Sequence, residues 1–400
     1  DACPGGDDNL DTNGNGIPDD CENVGPGIYE YTRIPLGGME AGVSVAMHPD
    51  NSYFVVLEYT DRIHIYYIPA AQFSTIDLAP GGSAHIDFRD IKFHPSGEYA
   101  IITGKSTETT DHGVVFRFDD AQWRLTAPTP SGVVTPYALT GVTAVVDYTA
   151  VEFNLFEDVL LLGHNANSTN RIMYLISLDI TTGAASYVHA HNVGADAVDM
   201  TGATNVYGDP GVFIVGGPSG AFTAYYTEVT GTAEFTVGPG NNNIGNANHT
   251  DAYPTGEDAL VISSSGDAIY KFEAGQLNSY SEALRFSTRR LWNVVFQPNG
   301  LRALILGQYQ SIYTNTFGGV FEYRHGHYSC VTPFTNCEVT EVSIPSFDAP
   351  PWNATSSTLL YDAWRSDCDG GIIVGGSASW SSPYAFIARF QIMNGTTCTW

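Results

Sequence analysis

The fold this sequence predicts is an all-β chain of seven repeated sheet units behind a short metal-binding loop. Three observations lead there. Tyr, Thr, Val, Ile and Phe recur in short strand-like runs. No helical periodicity persists beyond about three turns. One pattern returns along residues 36–400: an apolar strand, a Pro/Gly turn, a second strand often ending in Gly, a variable loop, and a third strand rich in Tyr and Phe.

The copies justify the count of seven. The clearest runs DIKFHPSGEYAIITG from Asp90, followed by GVVFRFDD, and its partner reads NVVFQPNGLRALILG, then GGVFEYRHG. SVAMHPDNSYFVVLEYTDRIHIYYI starts at Ser44 and DAYPTGEDALVISSSGDAIYKFEAG at Asp251. Three divergent copies are TAVEFNLFEDVLLLG, GDPGVFIVGG and DGGIIVGG, each with a following aromatic strand. Second strands end near Glu58, Gly104, Gly163, Gly216, Ser263, Gly307 and Gly375, a mean spacing of roughly 53 residues and close to one four-stranded blade. Pro49, Pro95, Pro254 and Pro298 mark the turn after the innermost strand, where a missing N–H costs no ladder bond.

A lone four-stranded sheet cannot bury both faces, whereas radial packing buries each face against a neighbour. The expectation is therefore a seven-bladed β-propeller over residues 28–400. Residues 28–35 (IYEYTRIP) alternate like a strand and are placed in the last blade beside the C-terminal strands, closing the ring. The pattern resembles the broad WD-repeat and kelch class of propellers, although no Trp-Asp dipeptide ends a blade and kelch-like Gly doublets occur only at Gly216 and Gly375. So general a resemblance implies architecture and no activity.

Residues 1–27 form a separate segment. DTNGNGIPDDCE, residues 11–22, fits the template D-x-[DN]-x-[DN]-G-x5-E, with oxygen ligands from Asp11, Asn13, Asn15, the Ile17 carbonyl, Asp19 and Glu22, and a sharp turn at Gly16. Calcium takes six to eight hard oxygen ligands, which this set supplies. The stretch CPGGDDNLDTNGNGIPDDCE resembles a thrombospondin type 3 repeat, in which calcium and a disulfide organise a chain with little apolar core. Cys3–Cys21 then braces the loop. The six cysteines fall into local groups, Cys3 with Cys21, Cys330 with Cys337 and Cys368 with Cys398, which suggests three disulfides and an oxidising compartment.

The formal charge of −27, from 16 Lys+Arg against 43 Asp+Glu, repels nucleic acid and anionic membrane surfaces. No run approaches the ~20 apolar residues of a membrane span. The expected setting is secreted, extracellular or at a cell surface.

The channel rim is expected to carry Ser44, Asp90, Thr149, Gly202, His249, Asn293 and Tyr361, with Asp251 and Asp362 close by. This set holds no Arg triad, no three-His cluster and no obvious acid pair, and the motif search leans away from an enzyme. His189/His191 and His325/His327 are weak metal candidates, and the sequons at Asn167, Asn248, Asn353 and Asn394 match chance frequency. The favoured expectation is a non-enzymatic module for recognition or assembly, such as an adhesin, a surface-layer component or a filament subunit. Its partners are other copies of itself or an extracellular protein or glycan. The alternatives are a secreted hydrolase or lyase working at the channel mouth through Asp90, His249, Asp251 and Asp362, and a lectin.

Overall fold

A computed structural model of the chain describes twenty-eight strands, given below, and residues 48–52, 61, 68–71, 78, 94–98, 253–254, 297–300, 365–369, 393 and 395–400. Among the described residues all regular structure is strand, and no helix is long and apolar enough to cross a membrane.

The strands form seven four-stranded antiparallel sheets. Sheet 1 holds β2 (Gly42–Met47), β3 (Tyr53–Glu58), β4 (Arg62–Tyr67) and β5 (Gln72–Asp77). Sheet 2 holds β6 (Ile86–Phe93), β7 (Tyr99–Ser106), β8 (His112–Asp119) and β9 (Thr135–Pro136). Sheet 3 holds β10 (Val145–Phe153), β11 (Val159–Asn165), β12 (Asn170–Leu178) and β13 (Ala185–Ala195), and sheet 4 holds β14 (Ala197–Thr204), β15 (Pro210–Gly216), β16 (Gly220–Val229) and β17 (Thr232–Val237). Sheet 5 holds β18 (Ala247–Ala252), β19 (Asp258–Ser263), β20 (Ala268–Glu273) and β21 (Tyr280–Arg285), and sheet 6 holds β22 (Arg289–Phe296), β23 (Arg302–Gln310), β24 (Thr316–Arg324) and β25 (Val339–Val342).

Sheet 7 mixes the two ends of the chain. β26 (Thr358–Trp364), β27 (Gly370–Ser377) and β28 (Ala385–Ile392) run in order, and β1 (Tyr29–Ile34) adds outside β28, from Tyr29 opposite Ile392 to Ile34 opposite Ile387. The strand expected at 28–35 thus lies where its alternation placed it. The innermost strands touch in succession: β2 packs on β6, β6 on β10, β10 on β14, β14 on β18, β18 on β22, β22 on β26, and β26 on β2.

Sheet 1 is apolar on both faces because both are covered. In β3, all six residues are buried. Tyr53, Val55 and Leu57 pack toward sheet 2 with Phe88, Ile91, Ile102 and Phe118. Phe54 and Val56 face the opposite way, onto Ile372, Val374 and Ile387 of sheet 7. The core is thus a series of slabs between sheets. Each fully buried large side chain in a slab contributes about 1.5–3 kcal/mol.

The Pro-marked turns share one geometry. His48, His94 and Gln297 each accept the amide three residues on (Asn51, Gly97, Gly300) and donate their own amide to the carbonyl five residues on (Tyr53, Tyr99, Arg302). The third residue is left-handed each time, with φ of 61° at Asn51, 76° at Gly97 and 75° at Gly300, the type I turn with a following bulge that joins hairpin strands. These turns also interlock. His48 Nε2 donates to the Gly97 carbonyl at 2.8 Å, and a Cβ on Gly97 would sit 2.7 Å from that nitrogen. The same relation recurs between sheets 5 and 6, where a Cβ on Gly300 would run into the Tyr253 ring. Glycine is therefore required twice over at these turns.

Sheet 7 is fastened most heavily. Cys368 and Cys398 form the expected disulfide. Arg365 holds Asp367 through two bonds of 2.8 and 2.7 Å, donates to the Thr399 carbonyl, and stacks over the Trp400 ring. Asn51 and Ser366 exchange hydrogen bonds of 2.9 and 3.0 Å, tying sheet 1 to sheet 7. Cys3, Cys21, Cys330 and Cys337 lie outside the described residues.

Candidate functional site

The seven inner strands surround a cavity of about 610 Å³, lined by residues of β2, β6, β10, β14, β18, β22 and β26. A β-bulge fixes which side chains reach it. The ladder slips by one residue between Gly42 and Ser44, Phe88 and Asp90, Tyr148 and Ala150, Ala197 and Asp199, Ala247 and His249, and Leu291 and Asn293. Bulges re-aim side chains, and here the device repeats in six of the seven inner strands.

Pairing with the second strand then defines two tiers. The first, just past the bulge, is Ser44, Asp90, Ala150, Asp199, His249, Asn293 and, in the unbulged β26, Tyr361. The second, two residues on, is Ala46, Lys92, Glu152, Thr201, Asp251, Val295 and Ala363. Charge is concentrated in sheets 2–5, while sheets 6, 7 and 1 supply Val295, Ala363 and Ala46.

The carboxylates join neighbouring sheets. Asp90 accepts from the Ser44 hydroxyl at 3.2 Å, from the Ile91 amide at 2.8 Å and from the Val151 amide at 3.1 Å, so it spans β2, β6 and β10. Asp199 repeats this one arc further, accepting the Thr250 amide at 2.9 Å. Asp251 accepts from the Thr201 hydroxyl at 3.2 Å and the Phe296 amide at 2.6 Å, spanning β14, β18 and β22. Arg89 pairs with Asp147 at 3.2 Å, and Lys92 reaches Glu152 at 3.6 Å, both linking β6 to β10. Between sheets 6 and 7, Trp364 Nε1 donates to the Val295 carbonyl at 3.1 Å and Gln297 Nε2 donates to the Asp369 carboxylate.

Burial shapes the protonation of this group. It pushes the Glu152 carboxyl up to about 7 against the pull of Lys92. Asp199 rises to about 7 through burial and the nearby charge of Asp90. Burial also raises Asp251. His249, whose Nδ1 stands 3.4 Å from Asp199, is pushed down to about 4 by the same desolvation. Lys92 moves upward, held charged chiefly by Glu152 with further contributions from Asp90, Asp251 and Asp199. Desolvation sets the direction for Glu152, Asp199, Asp251 and His249, whereas at Lys92 the neighbouring carboxylates outweigh it.

The sequence expectations fare unevenly against this geometry. Ser44, Asp90, His249 and Asn293 line the cavity. Tyr361 holds the equivalent register position, but its side chain and that of Asp362 lie outside the described residues. Thr149 lines the cavity as well, although it is the extra residue of its bulge and Ala150 holds the aligned ladder position. Gly202 lies three residues beyond the aligned position, which belongs to Asp199. The expectation of no obvious acid pair is corrected: Asp90, Glu152, Asp199 and Asp251 share the electrostatic reach of Lys92. The available signal was a polar residue at alternate positions of an otherwise apolar strand, as in Asp90-Ile91-Lys92 and Asp199-Met200-Thr201. Among the described residues no group of three His, Cys, Asp or Glu could hold a metal ion. The calcium ligands Asp11, Asn13, Asn15, Ile17, Asp19 and Glu22 lie outside the described residues, as do His325 and His327. His189 and His191 fall on β13, the outermost strand of sheet 3.

The fold is similar to solved WD40 propellers. A crystal structure of RRP9 WD40 repeats superposes with a TM-score of 0.57 at 11% identity, covering 91% of this chain and 97% of that one. A structure of U3-55K gives a TM-score of 0.57 at 11% identity, covering 90% of this chain and 98% of that one. The chain is thus a WD40-like β-propeller in architecture. No protein-family model matches it, and neither does any curated protein.

Proposed function

We propose that the seven sheets are the seven blades of one closed propeller, and that this propeller is a non-enzymatic extracellular module for recognition or assembly, preceded by a calcium-binding segment. One observation carries the reading. The channel carboxylates Asp90, Asp199 and Asp251 are engaged on backbone amides of the next inner strand. They serve as joints of the scaffold, and a carboxylate occupied in this way is poorly placed to act on a substrate. The buried disulfide of sheet 7 fits an oxidising compartment.

In this reading residues 1–27 bind calcium through Asp11, Asn13, Asn15, the Ile17 carbonyl, Asp19 and Glu22, and contact a neighbouring copy or another extracellular partner. Metal that binds only the ordered form stabilises it by mass action. Sedimentation and particle imaging of the full chain, with calcium and after chelation, test this. Calcium-dependent rods or lattices are expected, with Glu22→Gln reproducing the chelated state. A monomer at high concentration in both conditions overturns the assembly reading.

A hydrolase or lyase at the channel has one observation in its favour: Asp199 and His249 stand together in the cavity with strongly shifted protonation. Turnover in a glycan and phosphoester screen that is lost in both His249→Ala and Asp251→Ala would establish it in place of the first reading.

A further inference from the structure

We propose that Lys92 is the central counterion of a pH-sensitive latch, which holds the inner strands of sheets 2–5 together in mild acid and slackens them in mild base. The geometry supplies one cation for four carboxylates, each from a different sheet: Asp90 on β6, Glu152 on β10, Asp199 on β14 and Asp251 on β18. Lys92 Nζ lies 3.6 Å from Glu152, and the other three carboxylates act on it across the channel. Asp199 and Asp251 also accept an amide or hydroxyl from an adjacent sheet, so changing their charge changes those joints.

The surrounding groups leave Lys92 without help. Arg89 is engaged with Asp147 on β10. β2 carries no ionisable residue. Arg117 and Asp119 of β8, which packs on β10, pair with each other at 3.8 Å, and Lys105 of β7 lies opposite Asp87, at the far end of its strand. From β18, His249 adds no charge near neutrality, because burial keeps it deprotonated down to about pH 4.

The sign follows from linkage. Glu152 and Asp199 titrate near 7 in the folded protein and at ordinary carboxylate values when unfolded. Below about pH 7 the folded state retains protons that the unfolded chain releases. Stability is therefore highest in acid and falls as pH rises through 7. His249 acts in the opposite sense only below about pH 6.5, where the unfolded chain takes up a proton that the folded one refuses. The window from pH 6.5 to 8 isolates the carboxylates.

Thermal unfolding of the full chain across pH 5.5–8 tests the latch. The wild-type midpoint is expected to fall between pH 6.5 and 8, Lys92→Met to steepen that fall, and Glu152→Gln to flatten it. A Lys92→Met deficit of equal size at pH 5.5 and 8, or a wild-type midpoint flat from 6.5 to 8, overturns the proposal. If Lys92→Met fails to fold at every pH, Glu152→Gln decides, and an unchanged slope overturns it. Hydrogen exchange, corrected for its intrinsic pH dependence, adds a local readout. The Thr250 amide, which Asp199 accepts, is expected to exchange about fourfold faster at pH 8 than at 6.5, the size that linkage gives one carboxylate titrating at about 7, while the Ser366 amide stays unchanged. Equal acceleration at both sites counts against a latch confined to sheets 2–5.

Discussion

Sheets 2–5 and the closure between sheets 7 and 1 do the same job by opposite means. In the first arc, inner strands are tied by half-buried carboxylates that accept amides from the next sheet, beside a single lysine. In the second, the described joints are neutral: the Asn51–Ser366 exchange, the β1–β28 ladder that completes sheet 7, and an apolar slab built on Phe54, Val56 and Val374. An apolar slab holds at any pH and salt concentration. A carboxylate joint is conditional, because desolvation works against its charge and only well-placed donors compensate. One molecule thus contains a responsive arc and an insensitive one.

Four substitutions sharpen that contrast. Phe54→Ala empties a fully buried site in the sheet 7–sheet 1 slab and should cost about 3–5 kcal/mol in denaturant unfolding, equally at pH 6 and 8. Asp251→Ala leaves the Thr201 hydroxyl and the Phe296 amide without their acceptor and should cost about 2 kcal/mol at pH 6. Burial raises the Asp251 carboxyl, so that loss should shrink as pH rises. A pH-independent loss at Asp251 would erase the distinction between the arcs. Asn51→Ala removes both bonds to Ser366 and places alanine at a φ of 61°, for a loss of about 1–2 kcal/mol that neither pH nor salt should move. Ala71→Gly is the smallest change and runs the other way. Ala71 is exposed, with a φ of 52°, and glycine there should gain up to about 1 kcal/mol in the same assay.

Much of the architecture was legible because it is written locally. The turn residues Pro49, Pro95 and Pro298, with Asn51, Gly97 and Gly300 after them, mark where inner strands end, and alternation over 28–35 marks the closing strand. Cys368 and Cys398 could be paired because both fall in the last repeat. The channel was harder to read. Its charged groups come from strands some fifty residues apart, and the hairpins that carry them differ in length. Alignment to the Asp90 copy reached Gly202 because Asp90 pairs with Thr103, 13 residues on, whereas Asp199 pairs with Val215, 16 residues on. Nothing near Lys92 in the chain reveals that Glu152 of the next sheet reaches it.

The pairing of β1 with β28 has a consequence for how the chain is made. Tyr29–Ile34 leaves the ribosome roughly 350 residues ahead of its partner Ala385–Ile392. At translation speeds of about 5–20 residues per second, that strand waits tens of seconds with its hydrogen-bonding edge unpaired. Through that interval the nascent chain carries a free edge, and any chaperone that shields it must let go only once β28 has emerged.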